Sequence, residues 1–204
     1  MSAKLISIIG PPAVGKTTLA EALAKELPAV MVREDYAGNP FLADSYAGAA
    51  EAKLPGQVYF LMSRVTQLAV ATWPAEGAMV SDYGFCQDRI YARRRLGEDD
   101  YLLYDRLARR VEGLVHTPDV VVYLDAAVPT LLDRIARRGR AFESVMDGKF
   151  LQSMRDAYRT AVAQMNCAIV AVDCDKLDLR ANGELAGLIR KVRQALAGVG
   201  EICS

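Results

Sequence analysis

KLISIIGPPAVGKTTL, residues Lys4–Leu19, is the stretch whose reading decides the fold. Leu5, Ile6, Ile8 and Ile9 form the short apolar run that a buried parallel strand needs. Gly10-Pro11-Pro12-Ala13-Val14-Gly15-Lys16-Thr17 then fits G-x-x-x-x-G-K-[ST], and Thr18-Leu19-Ala20 opens a helical pattern. A glycine loop between a strand and a helix is a phosphate cradle. Its backbone N–H groups wrap the anion at the helix N-terminus, where the dipole also favours negative charge. Lys16 adds a point charge for the outer phosphates, and the Thr17 hydroxyl is a ligand for Mg2+. Gly10–Thr18 is therefore the predicted binding site for a nucleoside triphosphate. The same loop serves switches, motors and kinases, so its use has to be read elsewhere.

Working outward, Leu19, Leu23 and Leu27 keep helical spacing until Pro28 stops the element. Ala29–Arg33 reads as a second strand, the turn cluster Ala37-Gly38-Asn39-Pro40 follows, and a helix is expected over Phe41–Ala50. Pro55-Gly56 punctuates the chain before Gln57–Thr72, a long apolar segment read as a buried helix and closed by Trp73-Pro74. Ala78–Ser81 is a third strand. Asp88–Gly113 suggests two helices joined around Gly97, and DVVVYL at Asp119–Leu124 is a strong strand pattern. Helices over Val128–Arg137, Phe150–Met165 and Glu184–Leu196 flank a last strand, Ala168–Val172. Strands alternating with helices imply an α/β fold, a parallel sheet covered on both faces.

The chain of 204 residues suits one domain over 1–204, carrying a lid near residues 137–146. Lysine plus arginine equals aspartate plus glutamate at 25 each, so no global field attracts nucleic acid or an anionic membrane. Lys4 starts a strand where a signal peptide would need an apolar core, and no run is long enough to span a bilayer. Cys86, Cys167, Cys174 and Cys203 lack metal-ligand spacing and read as reduced thiols, which points to the cytoplasm. The single histidine, His116, lies beside Thr117-Pro118 in a loop, away from the chemistry.

Open parallel sheets bind ligands beyond the carboxyl ends of their strands. Glu34 and Asp82 are each the first acid after a strand on that edge. Beside a triphosphate, one carboxylate can act as base for an incoming hydroxyl and the other can hold Mg2+ or its waters. Either acid alone is equally at home as an ordinary cap or loop residue. Arg134, Arg137, Arg138 and Arg140 crowd the end of a helix around Gly139. They complement the helix dipole. Four such charges also repel one another unless an anion sits among them, so they read as a lid over the transferring phosphoryl group. Gln57 and Arg64 are polar groups on an otherwise apolar helix and require a ligand or internal partners.

From Glu34–Tyr46, EDYAGNPFLADSY, the chain resembles the deoxynucleoside kinases, especially the small bacterial deoxyguanosine/deoxyadenosine kinases. The likeness continues through Gln57–Leu68, Val80–Ala92 and Pro118–Glu143 and fades after about Tyr158. The resemblance implies a doubly wound, five-stranded P-loop kinase fold, with ATP-Mg2+ as donor and a deoxynucleoside 5′-hydroxyl as acceptor in nucleotide salvage. It assigns Glu34 as the base and places Asp82 beside phosphates and metal. It assigns Gln57 to the nucleobase, assisted by Arg64 and Asp88, and Tyr46 and Glu143 to the sugar 3′-hydroxyl. Arg134, Arg138 and Arg140 become the lid arginines, with Arg137 facing solvent. It also implies a homodimer formed through helices. One departure stands out: where animal-type enzymes have an arginine after the third-strand acid, this chain has Tyr83-Gly84.

Gln57 leaves the base open, because an amide pairs with adenine in one orientation and suits cytosine or guanine in the other. Two other readings compete. A nucleoside monophosphate (thymidylate-type) kinase needs cations for the acceptor's phosphate, for which Arg64, Arg33 and Arg89 are the candidates. A nucleotide-dependent switch needs a protein partner and no small acceptor.

Overall fold

The computed structural model describes residues 2–177 and 182–202 of the chain. Five strands, β1 (Lys4–Ile9), β2 (Val30–Val32), β3 (Ala78–Ser81), β4 (Val120–Asp125) and β5 (Ala168–Asp173), form one sheet in the order β2-β3-β1-β4-β5. Every strand pair is parallel. The helices are α1 (Lys16–Glu26), α2 (Leu42–Ala47), α3 (Ala50–Gln67) and α4 (Cys86–Arg95), then α5 (Glu98–Val111), α6 (Val128–Arg138), α7 (Gly148–Val162) and α8 (Asn182–Ile202).

The pleat of β1 explains why the sheet needs a cover on each face. Ile6 and Ile8 share a cluster with Leu19 and Leu23 of α1, Leu131 of α6 and Val192 of α8. Leu5 and Ile9 point the other way. Leu5 packs with Val65 of α3 and with Tyr83, while Ile9 meets Ile90 of α4 and Met154 and Tyr158 of α7. Each such side chain contributes about 1.5–3 kcal/mol when fully buried, and a strand in mid-sheet collects that gain on both sides. Helix α5 forms an outer layer, with Tyr104 and Ala108 against Leu61 and Ala92. Strands β3 and β4 flank β1, so the chain order reverses there and the loop after Ile9 opens at the switch point.

Three of the boundaries that differ from the sequence reading have a visible cause. Pro55-Gly56 does not precede the long apolar helix but lies within α3, which already starts at Ala50. Pro55 forgoes the bond to the carbonyl four residues back, and Asn39 Nδ2 fastens the neighbouring turn by donating to Gly56 O at 3.1 Å. The same helix ends at Gln67, before Thr72, because Leu68 O accepts His116 N at 2.7 Å and Ala69 bridges Val115. Residues Val70–Thr72 form a separate 3-10 turn. The helix expected over Phe41–Ala50 stops at Ala47, where Gly48 adopts φ 106.

Among the described residues, no helix is long and apolar enough to cross a membrane. Cys86, Cys167 and Cys174 are free thiols. Burial pushes the Cys86 thiol up to about 12 and Cys174 up to about 11, so neither is a ready nucleophile. Cys203 lies outside the described residues.

Candidate active site

The glycine loop leaves β1 through Gly10, whose φ is 148; a Cβ there would stand 2.3 Å from Leu124 O. Only glycine fits so close to β4. Gly15, at φ 113, delivers the chain into α1, and the N–H groups of the first turn face the open loop. Lys16 folds over this cradle and donates from Nζ to Gly10 O and Pro11 O, both at 3.0 Å. Burial lowers its ammonium to about 8, against the opposing pull of the Glu34 and Asp82 carboxylates. An ammonium destabilised in this way is favoured by an anion placed beside it.

The two strand-end acids meet at this loop. Asp82 Oδ2 accepts the Thr17 hydroxyl at 2.7 Å, and Asp82 Oδ1 accepts the backbone N–H of Glu34 at 2.8 Å. Asp82 thereby ties the head of α1 to the end of β2. Glu34 Oε1 accepts Arg64 Nη2 and also Gln87 Nε2, the latter at 2.9 Å. Its other oxygen, Oε2, is buried without a hydrogen-bond partner among the described residues. Arg64 donates its second arm to Asp88. Its guanidinium carbon lies 5.0 Å from the Tyr83 ring centroid and 5.3 Å from that of Phe60. Tyr83, the residue that follows the third-strand acid, is thus a platform for Arg64.

A cavity of about 560 Å³ runs from the loop into the protein. Pro12–Thr18 and Asp82 line its phosphate end, and Glu34 stands on its wall beyond them. Tyr46, Gln57, Arg64 and Glu143 line it too. Gln57 is only 5% exposed and makes no side-chain hydrogen bond among the described residues, so its amide is available to the cavity. Asp88 does not line the cavity; it sits behind Arg64 and is 2% exposed. Gly10 and Pro11 are beneath the wall, with their carbonyls turned to Lys16.

The arginines at the end of α6 divide their tasks. Arg134 donates to Val14 O at 3.1 Å and to Cys174 O at 2.9 Å, bracing the loop against the end of β5. Arg138 reaches Glu143 at 3.2 Å and Arg140 reaches it at 3.5 Å. Arg140 also lies over the rings of Tyr36 and Phe142, outside the cavity lining. Arg137 pairs with Asp133 on the surface with its side chain 75% exposed, although it reaches the cavity mouth. Gly139, at φ 65, ends α6 and turns the chain into the 3-10 turn Ala141–Glu143 that carries Phe142 and Glu143.

Several wall residues were not legible in the sequence. Tyr36 stacks on Phe142 with ring centroids 6.2 Å apart, and Phe142 also meets Tyr46 at 5.3 Å. With Phe60, 6.0 Å from Tyr36, they make an aromatic chamber suited to a flat ring. Burial, reinforced by the Glu34 charge, holds the Tyr36 phenol well above its ordinary range. Gln87 and Tyr91 also line the chamber, one turn apart on α4. That i, i+4 spacing was the available signal, but it means little until the partner face is known.

A triphosphate with Mg2+ fits these donors. The Thr17 hydroxyl and the Asp82 carboxylate are hard oxygens beside the loop. Mg2+ is ordinarily held by one or two such groups together with phosphate and water oxygens. Among the described residues no group of three or more His, Cys, Asp or Glu forms a protein cage for a metal.

The profile of the family described as "Deoxynucleoside kinase" matches residues 6–196. The deoxyguanosine kinase of Bacillus subtilis is 30% identical over 189 residues, covering 89% of this chain and 91% of the relative. The deoxyadenosine kinase of Dictyostelium discoideum is 27% identical over 202 residues, covering 97% and 82%. In shape the chain is similar to a deoxyadenosine kinase from M. mycoides solved with the products dCMP and dCDP. The TM-score is 0.80 at 21% identity, over 93% of this chain and 98% of that one.

Proposed function

Because the chain belongs to the deoxynucleoside kinase family, we propose that it transfers the terminal phosphoryl group of ATP to the 5′-hydroxyl of a deoxynucleoside, deoxyadenosine or deoxyguanosine, for nucleotide salvage. The observation that carries this reading is the buried, unpartnered Oε2 of Glu34 on the wall of a cavity that joins the phosphate loop to Gln57. A base, a donor cradle and a nucleobase-sized chamber share one space. Purine preference rests on relatives named for deoxyguanosine and deoxyadenosine.

In this reading the N–H groups of Ala13–Thr18 and the Lys16 ammonium hold the donor phosphates. Mg2+, when bound beside Thr17 and Asp82, neutralises phosphate charge. Gln57 pairs with the nucleobase between the aromatic walls, while Tyr46 and Glu143 take the 3′-hydroxyl. Glu34 removes the proton of the 5′-hydroxyl as that oxygen attacks. Arg138 and Arg140 swing from Glu143 toward the transferring group as a lid around Gly139, and Arg134 keeps the loop in shape. Arg64 and Asp88 act from behind the wall.

The monophosphate-kinase reading is weakened by the cations it needs. Arg33 is paired with Glu21 on the surface, Arg89 with Asp105 and Glu112, and Arg64 with Glu34 and Asp88. None of the three is left to bind an acceptor phosphate. The switch reading leaves the amide of Gln57 and the aromatic chamber without a purpose. On the same reading the enzyme acts in the cytoplasm as a homodimer. The dimer is supported by Leu103 and Leu107 of α5 and Met62 of α3, which are exposed on helices that pack together. Turnover of deoxyadenosine and deoxyguanosine, set against turnover of their monophosphates, tests the acceptor: the nucleosides should be phosphorylated and the monophosphates should not.

A further inference from the structure

The two oxygens of Glu34 are not equivalent. Oε1 accepts from Arg64 and from Gln87 Nε2, whereas Oε2 is buried without a partner. Gln87 lies on α4 and is 2% exposed. Its amide is held from behind, because the Tyr158 hydroxyl on α7 meets Gln87 Oε1 at 3.0 Å. Burial holds that phenol protonated, so it is a donor. A flipped amide would set its carbonyl against the Glu34 carboxylate, which can only accept, and that bond would be lost, whereas the Tyr158 hydroxyl can donate or accept. The Glu34 carboxylate therefore sets the amide so that Gln87 presents N–H to it, and Tyr158, donating to Gln87 Oε1, holds the amide there from behind.

We infer that Gln87, locked by Tyr158, is a positioning residue for the reaction: with Arg64 it pins Oε1 of Glu34 and leaves Oε2 as the oxygen that receives the acceptor's proton. The inference rests on the proposed role of Glu34 as base. The terminal carboxylate torsion is broad, so an unpinned carboxylate would swing over a wide range of angles and blur its aim. In the step itself, the 5′-oxygen forms a bond to the terminal phosphorus as the bond to the ADP oxygen breaks. The hydroxyl proton passes to Oε2, and Glu34 later returns it to solvent.

The test uses Gln87→Met and Tyr158→Phe in the full chain, with kcat, KM and thermal midpoint measured for each. Gln87→Met should lower kcat roughly 10- to 100-fold while the deoxynucleoside KM stays within about threefold, since aim and not binding is lost. Tyr158→Phe, which leaves the amide in place but unlocked, should lower kcat by roughly threefold or more. The double variant should be no slower than Gln87→Met alone, because Tyr158 acts through Gln87. A 5′-deoxy analogue such as 2′,5′-dideoxyadenosine should bind wild type and Gln87→Met equally. If Gln87→Met fails to fold, Tyr158→Phe decides. A folded variant with undiminished kcat, or one in which only KM rises, overturns the inference. Wild-type protein that phosphorylates no deoxynucleoside removes the functional reading itself, and this inference with it.

Discussion

Arg64 and Glu34 form an ion pair in which only 4% of either side chain is exposed to water. Both charges have been taken out of solvent, and Asp88 adds a second buried carboxylate to the same guanidinium. Such a network is held by mutual satisfaction, and removing one member leaves the others uncompensated. Arg64→Met should therefore cost about 3–5 kcal/mol, seen as a fall of roughly 10 °C or more in thermal midpoint. A midpoint within a few degrees of wild type would show that the pair is not structural.

Lys16 predicts a proton uptake. In the free protein burial sets its ammonium at about 8, so at pH 9 the group is mostly neutral. Polyphosphate beside it raises that value again, so binding at pH 9 takes up a proton. Affinity for ATP should then weaken as pH rises above 8, by up to about tenfold per unit. The stability of the free protein runs the opposite way. Between about 8 and the ordinary value of 10.5 the unfolded chain binds more protons, so stability increases with pH across that window. Calorimetry of ATP binding at pH 9, in two buffers of different ionisation enthalpy, checks the uptake; identical heats would refute it.

Glu143 is 4% exposed and held between Arg138 and Arg140. If it also receives the sugar 3′-hydroxyl, Glu143→Gln should raise the KM for deoxyadenosine by about tenfold, the equivalent of a hydrogen bond to a charged group. It should leave 2′,3′-dideoxyadenosine, which lacks that hydroxyl, nearly unaffected. Equal losses on both nucleosides would place the role of Glu143 in ordering the arginines alone.

Leu103 and Leu107 lie one turn apart on α5 and are 43% and 42% exposed. A homodimer through this face predicts that the double variant Leu103→Glu/Leu107→Glu sediments as a monomer with its circular dichroism unchanged. Wild-type protein that sediments as a monomer would contradict the proposed assembly.

The half of the candidate site proposed to hold the donor was legible in the sequence because its residues are local. Residues Gly10–Thr18 are contiguous, and Glu34 and Asp82 each follow directly on a strand whose end must reach the loop edge. The half proposed to hold the acceptor was legible from residue types and from the family resemblance, not from spacing. Gln57 and Arg64 stand out as polar groups on an apolar helix, yet nothing in their spacing reveals that one faces the cavity while the other turns to Glu34, 30 positions away. Gln87 carries no signal of its own beside the charged Asp88, since its contact depends on α7 bringing Tyr158 across 71 positions. Pro55 misled for the opposite reason: the loss of one hydrogen bond looked like a boundary, but tertiary packing carried the helix through it.

The central claim is ATP-driven 5′-phosphorylation of a deoxynucleoside with Glu34 as base, and one assay tests it most directly. The four natural deoxynucleosides are incubated with ATP and Mg2+, and product monophosphate is measured for wild-type protein and for Glu34→Gln. Wild type should convert deoxyadenosine or deoxyguanosine to its 5′-monophosphate, and Glu34→Gln should lower kcat by roughly 10²–10⁴ with ATP affinity nearly intact. Hydrolysis of ATP without nucleoside product, or an unchanged kcat in Glu34→Gln, would contradict the account.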